Sequence, residues 1–357
     1  MKRERTKRLW SLGLLAALLL LCAVCLLAYK NTAALLSSQS AAQRWQGDNE
    51  TAFAQISCFA SAGDSITEEE IYSFRSAMLT KLKEASFEVS ADTPLIHDAW
   101  CGFAQVNAAN GQRKGKLSVT AVGGNYFDFH PIKLVSGAYL TADDLMKDRV
   151  LLDRESAWLL FGGEELSGMS FEIEGQSFYV AGVIEREDDR FSKRAYGDGM
   201  GIYMHYEAYK QLNENAAISC YELVMAEPVQ GFVYSAVQEK FPIGTGEIVD
   251  NTYRFDAERL LRMLKDGSTR SMHLGQAVYP YWENAARGAE DSCLWLILAA
   301  MVFAALPAVL ALWLLVSSLV HGKRKLEDEY IPEAKEKISE AVRIRQRRRW
   351  EAKHLKK

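Results

Sequence analysis

The chain has 357 residues, 49% hydrophobic and 25% charged, with a formal net charge of −4. At roughly 150 residues per domain this length suits about two domains. The apolar residues gather in two uncharged blocks, Leu9–Tyr29 (21 residues) and Cys293–Val320 (28 residues), which excludes a purely soluble protein and a large polytopic bundle built by this chain alone.

In chain order, residues 1–8 are basic, with five Lys/Arg against one Glu. They abut the first apolar block, 9–29, which at ~1.5 Å per residue can cross a hydrocarbon core of about 30 Å. That block is longer than the ~7–15 residues of a signal-peptide core and no small-x-small cleavage site follows it, so it reads as an uncleaved anchor. Residues 31–49 are rich in Ala, Ser and Gln and predict a helical extension or a stalk. Phe53–Ala60 predicts a strand. Thr67 followed three residues later by Glu70 is a capping box, and it opens a helix to about Ala85 with Ile71, Phe74, Met78, Leu79 and Leu82 on one face. A strand over about 94–106 and the turn Asn110-Gly111 follow, then a strand at Lys116–Val122 and a short aromatic helical turn at Asn125–Phe129. Arg149–Leu152 predicts a strand, and Glu155–Phe161 a helix closed by Gly162-Gly163. Ser170–Ile173 and Phe178–Ile184 form a hairpin about Glu174-Gly175-Gln176. The loop 185–201 is charged and Gly-rich and is expected to be mobile; its Glu185, Glu187, Asp188 and Asp189 lack EF-hand spacing. Then come a strand (202–205), a helix (206–212), a strand (221–226), a helix (229–241), a short strand (247–249) and a helix (256–264). The fold class is therefore α+β, with two α/β halves flanking a mostly β middle, about 107–215.

The second apolar block, 293–320, carries Pro307 at mid-span, which predicts a kink. The tail, 321–357, holds thirteen Lys/Arg and seven Asp/Glu. Both ends are thus positive, +4 and +6, and the remainder is −14. The positive-inside rule places both termini in the cytoplasm and residues 30–292 outside, in a two-pass arrangement in the cell membrane. An acidic domain does not suit nucleic acid, and the basic tail suits anionic lipid. Trp10, Tyr29, Trp295 and Trp313 stand near the span ends as interfacial anchors do. Trp282, in the run YPYWENAAR, is expected to lie along the same interface.

Residues 118–209 contain, in order, SVTAVGGNYFDFHPIKLVSGAYLTADDL, RVLLDRESAWLLFGG, GMSFEIEGQSFYVAGVIERE and GIYMHYEAY. This pattern resembles the periplasmic core domain of MacB-like ABC transporter permeases (the FtsX/MacB type). Gly137, Asp144, Ala157, Phe161, Gly162, Gly168, Gly175, Val180, Gly182 and Val183 occupy the motif positions. Their own chemistry is structural: glycines for tight turns, Asp144 for a cap or turn after Thr141, Ala157 and Phe161 on one helix face. The chain departs from that family in having one span after the outer domain, where three are usual. The resemblance implies split β-α-β halves, with strand 221–226 antiparallel to and beside strand 53–60. That arrangement would bring Cys58 near Cys220 for a disulfide, with Cys58–Cys101 or no bridge as the alternatives. The resemblance also implies a separate ABC ATPase subunit and a further membrane subunit.

Residues 111–117 are one residue short of a phosphate-binding loop and have Leu117 where Ser or Thr would hold magnesium. His97, His130, His205 and His273 show no ligand spacing and read as surface or core residues. No nucleophile elbow is present. The chain is therefore not expected to be an enzyme, and no cofactor or metal is implied. The expected role is a permease-like subunit of an ABC-type export or envelope-remodelling system, its outer domain relaying motion or binding a partner. The alternative is a membrane-anchored adaptor or sensor that uses the same domain.

Overall fold

The computed structural model describes residues 2–47, 51–61, 63–85, 95–196, 200–265, 272, 279–326 and 331–354; Pro94, His273, Lys356 and Lys357 lie outside them. By contact density the chain divides into two units, Met1–Ala28 with Leu296–Lys357, and Tyr29–Trp295.

The elements, in order, are α1 (Lys2–Ala34), α2 (Ala41–Gln46), β1 (Phe53–Phe59), α3 (Glu68–Glu84), β2 (Ile96–Asn110), β3 (Arg113–Gly124), α4 (Tyr126–Phe129), β4 (Lys133–Gly137), β5 (Arg149–Asp153) and α5 (Arg154–Leu160). After these come β6 (Ser170–Ile173), β7 (Gln176–Glu185), α6 (Arg190–Ala195), β8 (Gly201–His205), α7 (Tyr206–Leu212), β9 (Cys220–Ala226), α8 (Phe232–Lys240), β10 (Glu247–Asp250), α9 (Ala257–Arg262), α10 (Tyr281–Lys325) and α11 (Ile331–His354). Among the described residues, two helices are long and apolar enough to cross a membrane, over Leu12–Ala34 and Tyr281–Arg324.

Within Tyr29–Trp295 the strand order begins β10-β1-β9-β2. With β1-α3-β2 and β9-α8-β10 as the connected halves, this is a split β-α-β pair. β1 and β9 run antiparallel, as expected, with Ile56 opposite Leu223. Helix α3 forms where the sequence marks it. Thr67 and Glu70 complete the capping box, and Ile71, Phe74, Met78 and Leu82 are buried one helical turn apart. Phe74 meets Tyr221 of β9 edge-on, with ring centroids 5.8 Å apart.

Strand β2 belongs to two assemblies. Its residues 96–101 pair with β9, 99–110 with β3, and 108–109 with β6. The pairings β2-β3-β8-β5-β7-β6-β2 close a six-stranded ring. The mostly β middle is thus continuous with the four-stranded sheet through β2. Two turns in the ring need a left-handed backbone, at Gly111 (φ 59°) and at Glu174-Gly175 (φ 49° and 79°), which glycine adopts without strain. Beside the ring, β4 packs on β7 with Gly137 opposite Gly182. A Cβ on Gly137 would sit 2.1 Å from the Ala181 carbonyl oxygen, and one on Gly182 2.4 Å from that of Ser136.

Two expectations are corrected here. The loop 185–201 is not a free loop over its first part: Asp189 caps α6 through the Phe191 and Ser192 N–H groups, and Phe191 is buried. The segment after α1 is not a stalk. A 3-10 turn at Ser37–Ser40 and α2 fold onto β1, and Ala41 and Ala42 are buried.

Candidate functional site

The first turns of α10, Tyr281–Cys293, have the sequence YWENAARGAEDSC. Ala285, Ala286 and Ala289 recur at helical spacing, and their short side chains let neighbouring backbone approach closely. All three are fully buried, and so are Glu283, Arg287 and Glu290. A buried carboxylate or guanidinium is tolerated only when paired and hydrogen-bonded, and the loop after β10 supplies the partner. Arg254, also fully buried, donates from Nη1 to Glu283 Oε2 (2.6 Å) and from Nη2 to Glu283 Oε1 (2.8 Å) and Glu290 Oε2 (3.1 Å). Its Nη1 also reaches Gln39 Oε1 (3.2 Å) and Asn251 Oδ1 (3.0 Å). Burial disfavours the charge of Arg254, but Glu283 and Glu290 more than offset this and raise its pKa above the usual arginine value.

The network extends in both directions. Arg287 donates from Nε to Glu283 Oε1 (2.8 Å), one turn away on the same helix, and from Nη2 to Glu247 Oε2 (2.8 Å) on β10. Its guanidinium lies 3.9 Å from the centre of the Tyr279 ring. On the other side Asn251 Nδ2 donates to Ser57 Oγ (2.7 Å), and Ser57 donates to Glu222 Oε1 (2.9 Å). Glu222 Oε2 meets the buried His130 Nε2, and the His130 ring packs on Trp282 at 4.2 Å. Polar contacts therefore run without a break from the residue after α4, across β9 and β1, to α10.

The remaining neighbours of α10 come from distant parts of the chain. The Tyr29 hydroxyl donates to the Phe255 carbonyl (2.5 Å), and Leu36 and Phe191 pack with the alanines of α10. Tyr281 stacks on Tyr196 at 4.0 Å and donates to Glu187 Oε1 (3.1 Å). The segment after α1, the β10-α9 loop, the β7-β8 loop and the residue after α4 all meet on this one stretch of helix. Arg254, Gln39, Glu283 and Glu290 were not singled out from the sequence. The available signal was three charges at Glu283, Arg287 and Glu290 spaced along one alanine-rich helix beside an apolar block.

The motif residues stand apart from this network. Gly137 and Gly182 allow the close approach of β4 and β7, and Val180 and Val183 are buried in β7. Ala157 is buried in α5, Phe161 meets Phe171 edge-on, and Gly162 and Gly168 are left-handed (φ 80° and 81°), as is Gly175. Asp144 accepts from the Thr141 N–H and hydroxyl (3.1 and 2.9 Å) and lies 3.2 Å from His205 Nε2. Three of the acidic residues from the end of β7 onward bond within the chain: Glu185 pairs with Lys133 and Arg154, Glu187 accepts from two tyrosines, and Asp189 caps α6.

Trp10, Trp295 and Trp313 have exposed side chains. Trp282 does not lie along an interface. It is 2% exposed, in the core against His130, because α10 is already inside the domain at its second residue. The expected Cys58–Cys220 disulfide is also corrected. Cys58 is opposite Tyr221 and Cys220 is opposite Phe59, so the two side chains point to opposite faces of the sheet. All three cysteines of the sheet, Cys58, Cys101 and Cys220, are free and buried.

A cleft of about 750 Å³ opens beside α2 and α4, lined by Arg44, Trp45, Tyr126, Asp128, Tyr139 and Thr141 among others. Arg44 donates across it to the Asp128 and Phe129 carbonyls (2.6 and 3.0 Å).

No curated protein matches the chain. Among solved structures, it is similar to the extracellular domain of the noncanonic ABC-type transporter YknZ from Gram-positive bacteria, at 14% identity and a TM-score of 0.37, over 53% of this chain and 92% of that one. It is also similar to the periplasmic region of MacB from Actinobacillus actinomycetemcomitans, at 15% identity and a TM-score of 0.38, over 63% of this chain and 96% of that one. The family model for the MacB-like periplasmic core domain matches residues 16–240, more than half of the chain. The chain is thus a member of the MacB-like periplasmic core domain family, a domain of ABC-type transporter permease-like proteins.

Proposed function

We propose that this chain is a two-span, permease-like subunit of an ABC-type export or envelope-remodelling system and that it relays movement rather than catalysing a reaction. In this reading residues 30–292 are extracytoplasmic, held by spans at 9–29 and 293–320, and residues 1–8 and 321–357 are cytoplasmic. A separate ABC ATPase and a further membrane subunit complete the assembly, and the basic tail lies on anionic lipid.

The observation that carries the reading is the grip on α10. A helix that only tethered a domain would need no buried ions at its start. Here Arg254 holds Glu283 and Glu290, and Arg287 holds Glu283 and Glu247, so the helix start is fixed to the loop after β10 and to β10 itself. Because the same helix continues into the apolar block, a shift or rotation at its start acts directly on the sheet. In this reading the paired network holds the helix start in one arrangement, so a movement of the helix is passed to the domain rather than absorbed by a loose tether.

Cross-linking mass spectrometry on native membranes tests the assembly. Cross-links from the tail or residues 1–8 to a nucleotide-binding ATPase are expected. Cross-links confined to copies of this chain and to non-transport proteins would overturn the reading in favour of an adaptor. Labelling of an introduced tail cysteine by an impermeant reagent on intact cells would overturn the topology.

A further inference from the structure

Cys101 and Cys220 are directly opposed at the last rung of the β2–β9 ladder. Opposed residues of an antiparallel pair share a face and have Cα atoms about 4.5–5.5 Å apart, within the roughly 4.4–6.8 Å that a disulfide spans. Both side chains are 1% exposed, and their thiols are close enough to hydrogen-bond. Cys58, the third cysteine of the sheet, is buried on the other face and cannot compete for either partner.

The position has a topological meaning. The chain leaves the four-stranded sheet along β2, builds β3 to β8, and returns at β9, so Cys101 and Cys220 stand where the six-stranded ring is inserted. We propose that Cys101 and Cys220 are the site of an intramolecular disulfide that closes this insertion point. One Sγ–Sγ bond forms; the two thiols give up two protons and two electrons to a disulfide oxidant, which leaves as two thiols. The pairing rests on the strand register alone. Only the source of the oxidant rests on the extracytoplasmic placement proposed above, since oxidising compartments maintain such bonds. Burial raises the pKa of both thiols, so thiolate is scarce in the folded chain and exchange requires the end of the ladder to open.

The test uses the full chain, purified in detergent and equilibrated with a glutathione redox buffer and a disulfide isomerase so that burial does not block exchange. Free thiols are then alkylated in denaturant and the digest is read by mass spectrometry. The expected product is a linked peptide pair containing Cys101 and Cys220, lighter by two hydrogens, with Cys58 alkylated. C101S should leave Cys220 alkylated with no new link to Cys58. Alkylation of Cys58, Cys101 and Cys220 at every redox ratio, or a link involving any other cysteine, would overturn the proposal. A pair that links in the purified chain but is trapped fully alkylated from intact cells leaves the pairing standing and removes the oxidising compartment instead.

Discussion

The six-stranded ring and the start of α10 are both buried, but they are buried by opposite means. The ring core is apolar: Val150, Leu152, Val180, Val183, Ile202 and Met204 fill it, and Gly137 and Gly182 bring bare backbone together at its flank. The start of α10 is enclosed by ions, with Arg254, Glu283, Arg287 and Glu290 each at most 1% exposed. Apolar packing falls off gradually as shape is altered, and volume-conserving swaps are tolerated. A buried ion network is supported only while every member has its partner. The ring is therefore suited to tolerating small changes of shape and the α10 joint to holding one arrangement.

The strongest way to break this contrast is Arg254→Met. It leaves Glu283 and Glu290 buried without their shared partner and should lower stability by about 3–5 kcal/mol, read as a shift in unfolding of the full chain in detergent. Arg254→Met combined with Glu283→Leu and Glu290→Leu should recover much of that stability, while cross-linking to the proposed ATPase partner stays impaired. Full recovery of both would show that the ions only fill space. At the flank of the ring, Gly137→Ala should cost about 1–3 kcal/mol, because the added Cβ meets the Ala181 carbonyl in a left-handed backbone. Gly175→Ala, at almost the same φ but with nothing within 4 Å, should cost less; equal losses in a denaturant titration would remove the role of close approach. On the α3 side of the sheet, Thr67→Ala removes the cap bond to Glu70 and should cost about 1 kcal/mol, visible as faster amide exchange in the first turn.

The smallest effect concerns pH. Burial and Lys147 hold the His205 pKa below its ordinary value despite Asp144. Burial opposes the ionisation of Asp144, but the bonds from Thr141 and His205 outweigh it and lower that pKa as well. In both cases the unfolded chain takes up protons first. Their stabilisation is present above the unfolded pKa values, ~6.5 for His and ~3.9 for Asp, and is lost as pH falls through the folded ones. The midpoint of thermal unfolding should drop between pH 7.5 and 5.5, and His205→Gln should flatten that slope. An unchanged slope in the variant would assign the effect to other groups.

Most strands of the ring were legible because their signals are local, while its closure through β2 and β6 was not. Asn110-Gly111 marks a turn and Glu174-Gly175 a hairpin, and β6 alternates between exposed and buried residues. β4 was missed: Lys133–Gly137 is short, follows a proline and buries only Ser136. The ion network was not legible, since Arg254 finds Gln39 215 residues away and Glu283 29 residues away, and no periodicity links them. Trp282 was misplaced for the same reason. An aromatic next to an apolar block resembles an interfacial anchor until the packing of α10 into the domain is seen. The cysteines illustrate register. The neighbouring strands were identified from the resemblance, yet the side chains of Cys58 and Cys220 face apart because a shift of one residue exchanges the faces of a sheet.

The shared strand β2 also bears on how the chain reaches this state. β1 finds its neighbours only in β9 and β10, with Phe53 opposite Ala226 and Phe59 opposite Glu247. Every residue of the ring is made between those partners. Pairings so distant along the chain lose much loop entropy before they gain contacts, and they form slowly. During synthesis β1 and α3 emerge early and wait, their apolar faces uncovered, until the ring is complete and β9 arrives. Pulse-labelled amide exchange should accordingly protect the β6–β7 hairpin before β1. The half of the domain nearest the N-terminus is then the last to fold, and the interval before β9 arrives is when the chain is most open to aggregation.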